Sequence, residues 1–426
     1  MGKGAKKADP GQEENNQALL PLAALAFTLR RGLREFVVES GMSALSKLLE
    51  EERTELCGPR YKHEPERAAY RAGFTTGELA MGGRRVQVRR PRARTDEREL
   101  ELPTWKQFSS EDPLHARALE EMVVGVSTRK YRRALEDVPP EVKERGTSKS
   151  AVSRRFIAAT QKELATWLGR DLSNLDLAAI MIDGLAFGDE RVVLIALGID
   201  RVGKKHVLGI HEGATENAAA CGALCDDIIA RGVTSKRSKL FVVDGSKALV
   251  KAIRDRFGER ALIQRCQVHK KRNVRDHLPE YMRSTVSATL TQAYQTRDAV
   301  RATKLLENLA RSLEADHPSA AASVREGLAE TLTVVKLGLP QQLCRVLSTT
   351  NAIENLNSTA RDVCRRVKHW RSGEMILRWT CAAMREAENK FRRVQGFKGG
   401  MPLLLNALQK NDERIDGRLD AATEAG

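Results

Sequence analysis

Two aspartates of this 426-residue chain occupy the same kind of position, each directly after a predicted strand and directly before a glycine. Asp183 follows the strand 175–182, and Asp244 follows the strand 239–243. A third acidic residue, Glu354, lies further along in a segment with helical periodicity. Carboxylate oxygens are hard ligands that suit Mg²⁺ or Mn²⁺. Two such ions, about 3.5–4 Å apart, can activate an attacking oxygen and stabilise a leaving oxygen in a phosphoryl transfer.

Purely structural roles are an alternative for the same three residues. An Asp-Gly pair after a strand is commonly a turn, because both residues tolerate turn geometry. The stretch from Asn351 to Glu354 also resembles a capping box, with Asn351 as N-cap and Glu354 as the third helical residue. The functional interpretation is favoured because all three residues occur within one recognisable order of strands and helices.

That order is read from apolar runs and chain breakers. Strands are predicted at 175–182, 191–199, 206–211, 239–243 and 261–264, and helices at 214–232 and 246–257. Three strands in a meander, followed by alternating helices and strands, is the ribonuclease H-like order. In such a sheet the first and fourth strands are neighbours, so Asp183 and Asp244 are expected side by side, with Glu354 approaching from a later helix. The predicted fold class is α/β with a large α content.

The rest of the chain is predicted to be organised around this core. The expected segments are an N-terminal helical segment 1–57 with its first fifteen residues disordered, a basic hairpin and linker 58–110, a helix-turn-helix-like DNA-binding domain 111–170, the core 175–265, an all-helical insertion 266–345, the second part of the core 346–395 and a tail 396–426. Helices are expected at 115–125, 128–138, 148–169 and 348–391, with a short helix and then disorder in the tail.

The charge of the chain indicates a polyanionic partner. The formal net charge is +16 and the isoelectric point is about 9.7. The candidate DNA contacts are Arg84, Arg85, Arg89, Arg90, Lys149, Arg154, Arg155, Lys270, Arg272, Arg361, Arg365, Lys368 and Trp370. The first four lie on a predicted hairpin strand after Gly82-Gly83, and the next three lie near the start of a helix that could enter a major groove. The alternatives are an ordinary solvated basic face and, for Trp370, a place in the core.

Neither a membrane protein nor a disulfide scaffold is expected. The longest apolar run, 18–29, has twelve residues and contains Pro21, which is too short to span a bilayer. The seven cysteines are scattered and odd in number, which favours reduced thiols in a cytoplasm.

Four segments resemble the mutator-type insertion-sequence transposases of bacteria. They are residues 182–184 (Ile-Asp-Gly), 242–245 (Val-Val-Asp-Gly), 266–274 with its Cys-x2-His, and 350–357 (Thr-Asn-Ala-Ile-Glu-Asn-Leu-Asn). The resemblance covers roughly residues 60–395. It implies a ribonuclease H-like catalytic domain interrupted by a helical insertion, with Asp183, Asp244 and Glu354 as the carboxylate triad.

The same resemblance implies a partner and a cofactor. The expected enzyme binds two Mg²⁺ or Mn²⁺ ions per site and no small-molecule cofactor, cuts DNA at the terminal inverted repeats of a mobile element, and transfers the 3′-hydroxyl to target DNA. Because two ends must be paired, a homodimer or larger assembly is expected, in the bacterial cytoplasm and associated with the nucleoid. The rivals are a ribonuclease H-like nuclease without strand transfer, and a helix-turn-helix regulator whose carboxylates are only turns and caps.

Cys266 and His269 form the Cys-x2-His signature of that family, near its active site. A Cys-x2-His pair could also be half of a zinc site, completed by Cys221 and Cys225. Those two cysteines are four residues apart in an alanine-rich helical segment, which favours core packing instead. The expected role of Cys266 and His269 is therefore a supporting one.

Overall fold

The computed structural model describes residues 33–62, 64–65, 67–110, 114–136, 138–188, 191–213, 217–365 and 367–424. Contacts between residues divide the chain into two compact units, Met1–Ala159 and Thr160–Gly426. The predicted helix and disorder before residue 33 lie outside the described residues. Among the residues that are described, no helix combines the length and the apolar character needed to cross a bilayer.

The first unit is built on an antiparallel hairpin. Its elements are α1 (Leu33–Cys57), β1 (Tyr70–Met81), β2 (Arg84–Arg94), β3 (Glu99–Leu100), α2 (Pro103–Ser110), α3 (Leu114–Val123), α4 (Tyr131–Ala134), β4 (Glu144–Arg145) and the start of α5 (Lys149–Leu168). β2 pairs with β1, β3 and β4. The hairpin turn consists of Gly82 and Gly83, whose φ angles of 56° and 83° match a tight turn that favours glycine. The predicted basic hairpin strand is confirmed.

The helix predicted at 128–138 is wrong, since among the described residues of that range only the four of α4 are helical. Leu135 leaves the helix with an extended backbone, at φ −86° and ψ 157°. The carbonyl of Glu136 instead accepts a hydrogen bond from the buried guanidinium of Arg84, and the Tyr131 hydroxyl donates to the carbonyl of Gly83 at 3.0 Å. These contacts to the hairpin replace the hydrogen bonds that a longer helix would form.

The second unit contains a five-stranded mixed sheet. Its first elements are β5 (Leu177–Phe187), β6 (Arg191–Asp200), β7 (Lys205–Gly213), α6 (Ala218–Ala230), β8 (Lys239–Val243), α7 (Lys247–Phe257), a 3₁₀ turn (Gly258–Arg260) and β9 (Ala261–Arg265). The strand order is β7-β6-β5-β8-β9, with β5, β6 and β7 antiparallel and β5, β8 and β9 parallel. The predicted order of strands and helices is confirmed, and so is the pairing of the first strand with the fourth.

Helices alone follow the last strand in the described part of the chain. They are α8 (Gln267–Asp276), α9 (Glu280–Gln295), α10 (Ala299–Leu313), α11 (Pro318–Arg325), α12 (Leu328–Thr331), α13 (Thr333–Lys336), α14 (Gln341–Leu347), α15 (Asn351–Cys364), α16 (Gly373–Glu388) and α17 (Phe397–Glu424). The helices from α8 to α13 share an apolar core of their own, which includes Val274, Leu290, Leu306 and Val324. A separate core fills the space between α6, α7 and the sheet.

Two predictions about the C-terminal part are wrong. The helix expected at 348–391 is two helices, because α15 ends at Cys364 and the Ser372 hydroxyl caps α16 by accepting from the Met375 N–H at 3.2 Å. The tail is not disordered after a short helix, since α17 continues to Glu424. Its Asp412 accepts hydrogen bonds from the N–H and hydroxyl of Ser238, which hold the helix beside β8.

Candidate active site

The two aspartates lie next to each other on paired strands. Asp244 directly follows β8 as predicted, but the prediction that the first strand ends before Asp183 is wrong, because β5 continues to Phe187 and Asp183 and Gly184 pair with β6 inside it. In the parallel register of β5 and β8, Met181 is opposite Val242. Asp183 and Asp244 are each two residues further on, so they lie at the same level and on the same face. The N–H of Ser246 donates to Asp244 Oδ1 at 2.9 Å, which fixes that carboxylate at the start of α7.

The surroundings of Asp183 disfavour its negative charge. Burial and the negative charge of Asp244 raise the pKa of Asp183 to about 6, against the opposing effects of the Gly184 N–H and of His269. Two carboxylates held together in this way are the usual environment of a divalent cation, which would relieve their repulsion.

α15 reaches the same point through a buried asparagine. Asn357 is 1 % exposed, and its Nδ2 donates to Asp183 Oδ2 at 2.8 Å. Glu354 lies three residues earlier and therefore shares this helix face. Its charge also contributes to the raised pKa of Asp183. The sequence motif contained Asn357 without revealing its role; its i+3 spacing from Glu354 was the available signal.

Glu354 is held by the residue that begins its helix. The N-cap of α15 is Thr350 rather than Asn351, and its side chain does not cap a helix N–H. The Thr350 hydroxyl instead donates to Glu354 Oε1 at 2.6 Å. The capping box in the form predicted from Asn351 is therefore wrong, and the carboxylate of Glu354 is turned to the side of Cys266 and His269.

Cys266 and His269 complete this cluster. Thr350 Oγ1 lies 3.3 Å from Cys266 Sγ and 3.4 Å from His269 Nδ1, and His269 Nδ1 lies 3.9 Å from Glu354 Oε1. Burial raises the pKa of the Cys266 thiol, but hydrogen bonds with His269 and Thr350 outweigh it and the net pKa is lowered. The hydrogen bond with Cys266 raises the pKa of His269, and the charges of Glu354 and Asp244 add to this. The surroundings of His269 therefore favour its protonated form more than water does.

The zinc site that would join these residues to Cys221 and Cys225 is not formed. Both of those cysteines belong to α6 and are buried in the apolar core between this helix, α7 and the sheet. Burial raises the pKa of Cys225 to about 12, as expected for an inert core thiol. Among the described residues, three potential ligand atoms of His, Cys, Asp or Glu come within 4.8 Å of one another only at Cys266, His269 and Glu354.

Comparison with known proteins decides the family. The family model "Transposase, Mutator family" matches residues 14–394. This chain belongs to the Mutator family of transposases. It is 29 % identical over 374 residues to the transposase for insertion sequence element ISRM5 of Rhizobium meliloti (strain 1021), covering 86 % of this chain and 90 % of that one. It is 25 % identical to the transposase for insertion sequence element IS256 in transposon Tn4001 of Staphylococcus aureus, covering 75 % and 81 %.

Some of the basic residues predicted to contact DNA are buried in this Mutator-family chain. Arg84 is 3 % exposed and donates to Glu144 Oε2 at 2.9 Å. Lys270 is 3 % exposed and its Nζ donates to the Ser323 carbonyl at 2.6 Å. Both side chains therefore hold the fold together, and their predicted contact with DNA has no support from the structure. Sequence alone missed this because a charge run does not show which cations face a buried partner.

Other residues of the predicted DNA-binding set have partners within the protein but remain partly accessible to solvent. Arg89 stacks on the Phe74 ring at 4.0 Å, and Arg90 pairs with Glu99 at 3.3 Å. Trp370 packs edge-on against Phe187, with ring centroids 4.9 Å apart. Arg85 and Arg155 are half-buried, and the exposed members of the predicted set are Arg89, Lys149, Arg154, Arg272, Arg361, Arg365 and Lys368.

Arg265 is a residue beside the candidate site that the sequence did not reveal. It ends β9, beside Val243, and its side chain is buried. Its Nη2 donates to the Gly245 carbonyl at 2.6 Å and its Nη1 to the Glu326 carbonyl at 3.1 Å. The guanidinium therefore holds the turn after Asp244 against the helices that follow the sheet.

The raised pKa of Asp183 leads to a stability prediction for the metal-free transposase. The folded-state pKa of about 6 lies above the ordinary value of 3.8, so the folded protein binds this proton more tightly than the unfolded chain does. The resulting contribution to the free energy of unfolding is fully present below about pH 4 and is lost as the pH rises through 6. Asp183→Asn carries no charge, and is expected to be more stable than wild type at pH 7.5 and equal to it at pH 4. Urea unfolding in EDTA at both pH values measures this.

The control for that experiment is Asp255→Asn, because Asp255 is exposed on α7. This variant should follow wild type at both pH values. A stability of Asp183→Asn that matches wild type at pH 7.5 would contradict the electrostatic description of the site.

Proposed function

We propose that this transposase cuts DNA at the ends of its mobile element and transfers the 3′-hydroxyl to a second phosphodiester, with Asp183, Asp244 and Glu354 as its catalytic carboxylates. The observation that carries the proposal is the contact of α15 with β5 beside β8, where Asn357 bonds Asp183 at 2.8 Å. Two isolated turns and a helix cap would not require the helix that carries Glu354 to bond Asp183.

The architecture around the site supports a ribonuclease H-like core. A three-stranded antiparallel meander joined through its first strand to two parallel strands is the sheet expected of that fold. The helices from α8 to α14 separate Asp244 from Glu354, as an all-helical insertion would. In the first unit, we assign DNA binding to the hairpin and to the exposed Lys149 and Arg154 at the start of α5.

The residues present fit a divalent-cation site. Asp183, Asp244 and Glu354 supply only oxygen ligands, and the raised pKa of Asp183 marks a place where a cation would be stabilising. Two Mg²⁺ or Mn²⁺ ions held there would supply activation of the attacking oxygen and neutralisation of the leaving one. The protein's own contributions are orientation of Asp183 by Asn357 and orientation of Glu354 by Thr350. The raised pKa of His269 beside these residues makes its ring easier to protonate there.

Assembly as at least a dimer is part of the proposal, because two element ends must be held together for strand transfer. Light scattering on paired-end DNA is expected to show at least two copies of the chain. A strictly monomeric complex would refute this part of the proposal without affecting the carboxylate assignment.

The test of the function uses labelled duplexes that carry the element's ends, with Mg²⁺ and target DNA. The expected result is strand cleavage followed by joined products. Cleavage without any joined product would favour a ribonuclease H-like nuclease. Sequence-specific binding with no Mg²⁺-dependent cleavage would favour a regulator, and the carboxylates would then be structural.

Removing the Asn357 side chain should impair the chemistry and spare DNA binding. Loss of a hydrogen bond to a metal-ligating carboxylate typically costs about 10–100-fold in activity or metal affinity. Asn357→Ala is therefore expected to cut that much more slowly, and part of the rate should return at higher Mn²⁺. Asn355→Ala, exposed on the same helix, is the matched control. Equal rates for the two variants would show that Asn357 does not position Asp183.

A further inference from the structure

A cavity of about 520 Å³ opens among the helices that follow the sheet. This volume is within the range of about 300–1,000 Å³ that is usual for small-molecule sites. Its walls come from α8, α9, α13 and α14 and from the connections between them. It is separate from the cluster of carboxylates, and none of the roles assigned above uses it.

The chemistry of the walls points to a ligand with both an anionic and a flat apolar part. Lys271, Arg297 and Arg345 line the cavity, and no Asp or Glu is among its lining residues, all of which lie in the described part of the chain. The apolar part of the wall includes Val335 and the half-buried ring of Tyr294. Amide side chains on α8, α9 and α14 add donors and acceptors. A base with its phosphate combines these properties.

The position of the cavity connects it with the candidate active site. Gln267 and Ser348 line it, and the N–H of Gln267 donates to the Ser348 carbonyl at 2.9 Å. Gln267 directly follows Cys266, and Thr349, also in the wall, directly precedes Thr350. Because neighbouring Cα atoms are about 3.8 Å apart, the wall begins about that far along the backbone from Cys266 and from Thr350, which bonds Glu354.

A shallower groove of about 600 Å³ continues from the cavity along α9. The two share Thr291, Gln295 and Thr296, and the groove is lined further by hydroxyl and amide side chains such as Ser287 and Gln292. Hydroxyls and amides of this kind bind phosphate oxygens without reading sequence. The groove therefore offers a path for the strand that flanks a base held in the cavity.

We propose that this cavity receives an unpaired nucleotide of the DNA substrate, flipped out of the duplex beside the cleavage position. The base lies against the apolar wall and the Tyr294 ring, and the phosphate faces Lys271, Arg297 and Arg345. The inference rests on the proposed function for the identity of the DNA. Holding the extruded base offsets the cost of unstacking and fixes the neighbouring phosphodiester at the carboxylates.

The experiment uses the full chain and duplexes with 2-aminopurine at each position flanking the cleavage site. Extrusion of that base should raise its fluorescence severalfold when wild-type protein binds. Arg345→Ala removes one exposed charge of the wall and is expected to lower the joining rate by about tenfold or more, since charged hydrogen bonds of this kind are worth at least that factor. Arg301→Ala, exposed on α10 and outside the cavity, is the matched control and should behave as wild type.

A second readout reports occupancy of the cavity without any catalysis. Cys344 lines the cavity and is half-buried, whereas the other six cysteines, all within the described residues, are buried. DNA with the element's ends should therefore slow its reaction with a maleimide. Wild-type protein already carrying a maleimide on Cys344 should bind DNA but give no 2-aminopurine signal, since the label occupies the cavity.

The outcomes separate this inference from the proposed function. Cleavage and joining without a fluorescence rise or Cys344 protection would overturn the inference and leave the function standing. Fluorescence rise and protection without cleavage would support the cavity and overturn the proposed chemistry. Protection of Cys344 by a free deoxynucleoside monophosphate, but not by the DNA, would show that the cavity takes a soluble nucleotide and would overturn the substrate assignment.

Discussion

Asp183→Asn, Asp244→Asn and Glu354→Gln are each expected to lose strand cleavage by about three orders of magnitude or more, because each loses several kcal/mol of transition-state stabilisation. The amides keep the shape of the side chain and remove the negative charge that holds a divalent cation. DNA binding should persist in all three, because the exposed cations assigned to it lie on other residues. Cleavage rates under single-turnover conditions and a binding titration at fixed salt measure the two effects separately.

The matched control for these three variants is Asp255→Asn, which removes a carboxylate exposed on α7. It should cut DNA at the wild-type rate. Circular dichroism of every variant checks that the fold is retained. Near-normal cleavage by any one of the three amide variants would remove that residue from the catalytic set.

Gly245→Ala is expected to have the second-largest effect, on both stability and cleavage. Gly245 has φ +108°, and a Cβ there would lie 2.5 Å from Nε and Nη2 of Arg265. That guanidinium cannot move freely, because it bonds the carbonyls of Gly245 and Glu326. Backbone strain of about 1–2 kcal/mol and loss of buried charged hydrogen bonds worth about 1.5–3 kcal/mol should together lower the free energy of unfolding. Because the residue adjoins Asp244, cleavage should fall further than stability alone explains.

The control is Gly188→Ala, which separates the clash from the backbone strain. Gly188 has φ +69°, and a Cβ at this position would meet nothing within 4 Å. Gly188→Ala should therefore lower the free energy of unfolding by the backbone strain alone, about 1–2 kcal/mol. DNA cleavage should be retained. Chemical denaturation and cleavage assays on both variants make the comparison. Equal losses for Gly245→Ala and Gly188→Ala would show that Arg265 does not hold the turn after Asp244.

The central sheet could be predicted because its sequence signals are local. Buried strands such as β5 and β8 are short apolar runs bounded by glycine or charge, and the order of strands limits which of them can pair. These local signals alone predict that Asp183 lies beside Asp244. The two glycines at 82 and 83 were an equally local signal for the hairpin.

The parts that sequence did not predict depend on contacts between distant residues. The helix expected at 128–138 is shortened by two hydrogen bonds with the hairpin, which lies more than forty positions away in the chain. Arg84 donates to the Glu136 carbonyl, and the Tyr131 hydroxyl donates to the Gly83 carbonyl. The tail is helical to Glu424 because Ser238 and Arg260 bond Asp412. No periodicity or propensity within those segments carries this information.

The same limit applies to the site. The sequence contains Thr350, Asn357 and Arg265, but their roles become clear only from their hydrogen bonds. Thr350 donates to Glu354, Asn357 donates to Asp183, and Arg265 donates to the Gly245 carbonyl. Arg84 and Lys270 show the reverse case, since both look like surface cations in the sequence and are buried in the fold. Charge alone therefore did not separate surface cations from buried ones, whereas the order of strands did predict that Asp183 and Asp244 lie on neighbouring strands.

The most direct test of the carboxylate assignment is a Mn²⁺ titration of the full chain bound to its end DNA, followed by electron paramagnetic resonance. We expect two Mn²⁺ ions per chain, close enough for their spins to couple, and loss of the coupled pair in Asp183→Asn, Asp244→Asn and Glu354→Gln. A coupled pair that survives these substitutions, or wild-type protein that binds no Mn²⁺ in the DNA complex, would contradict it.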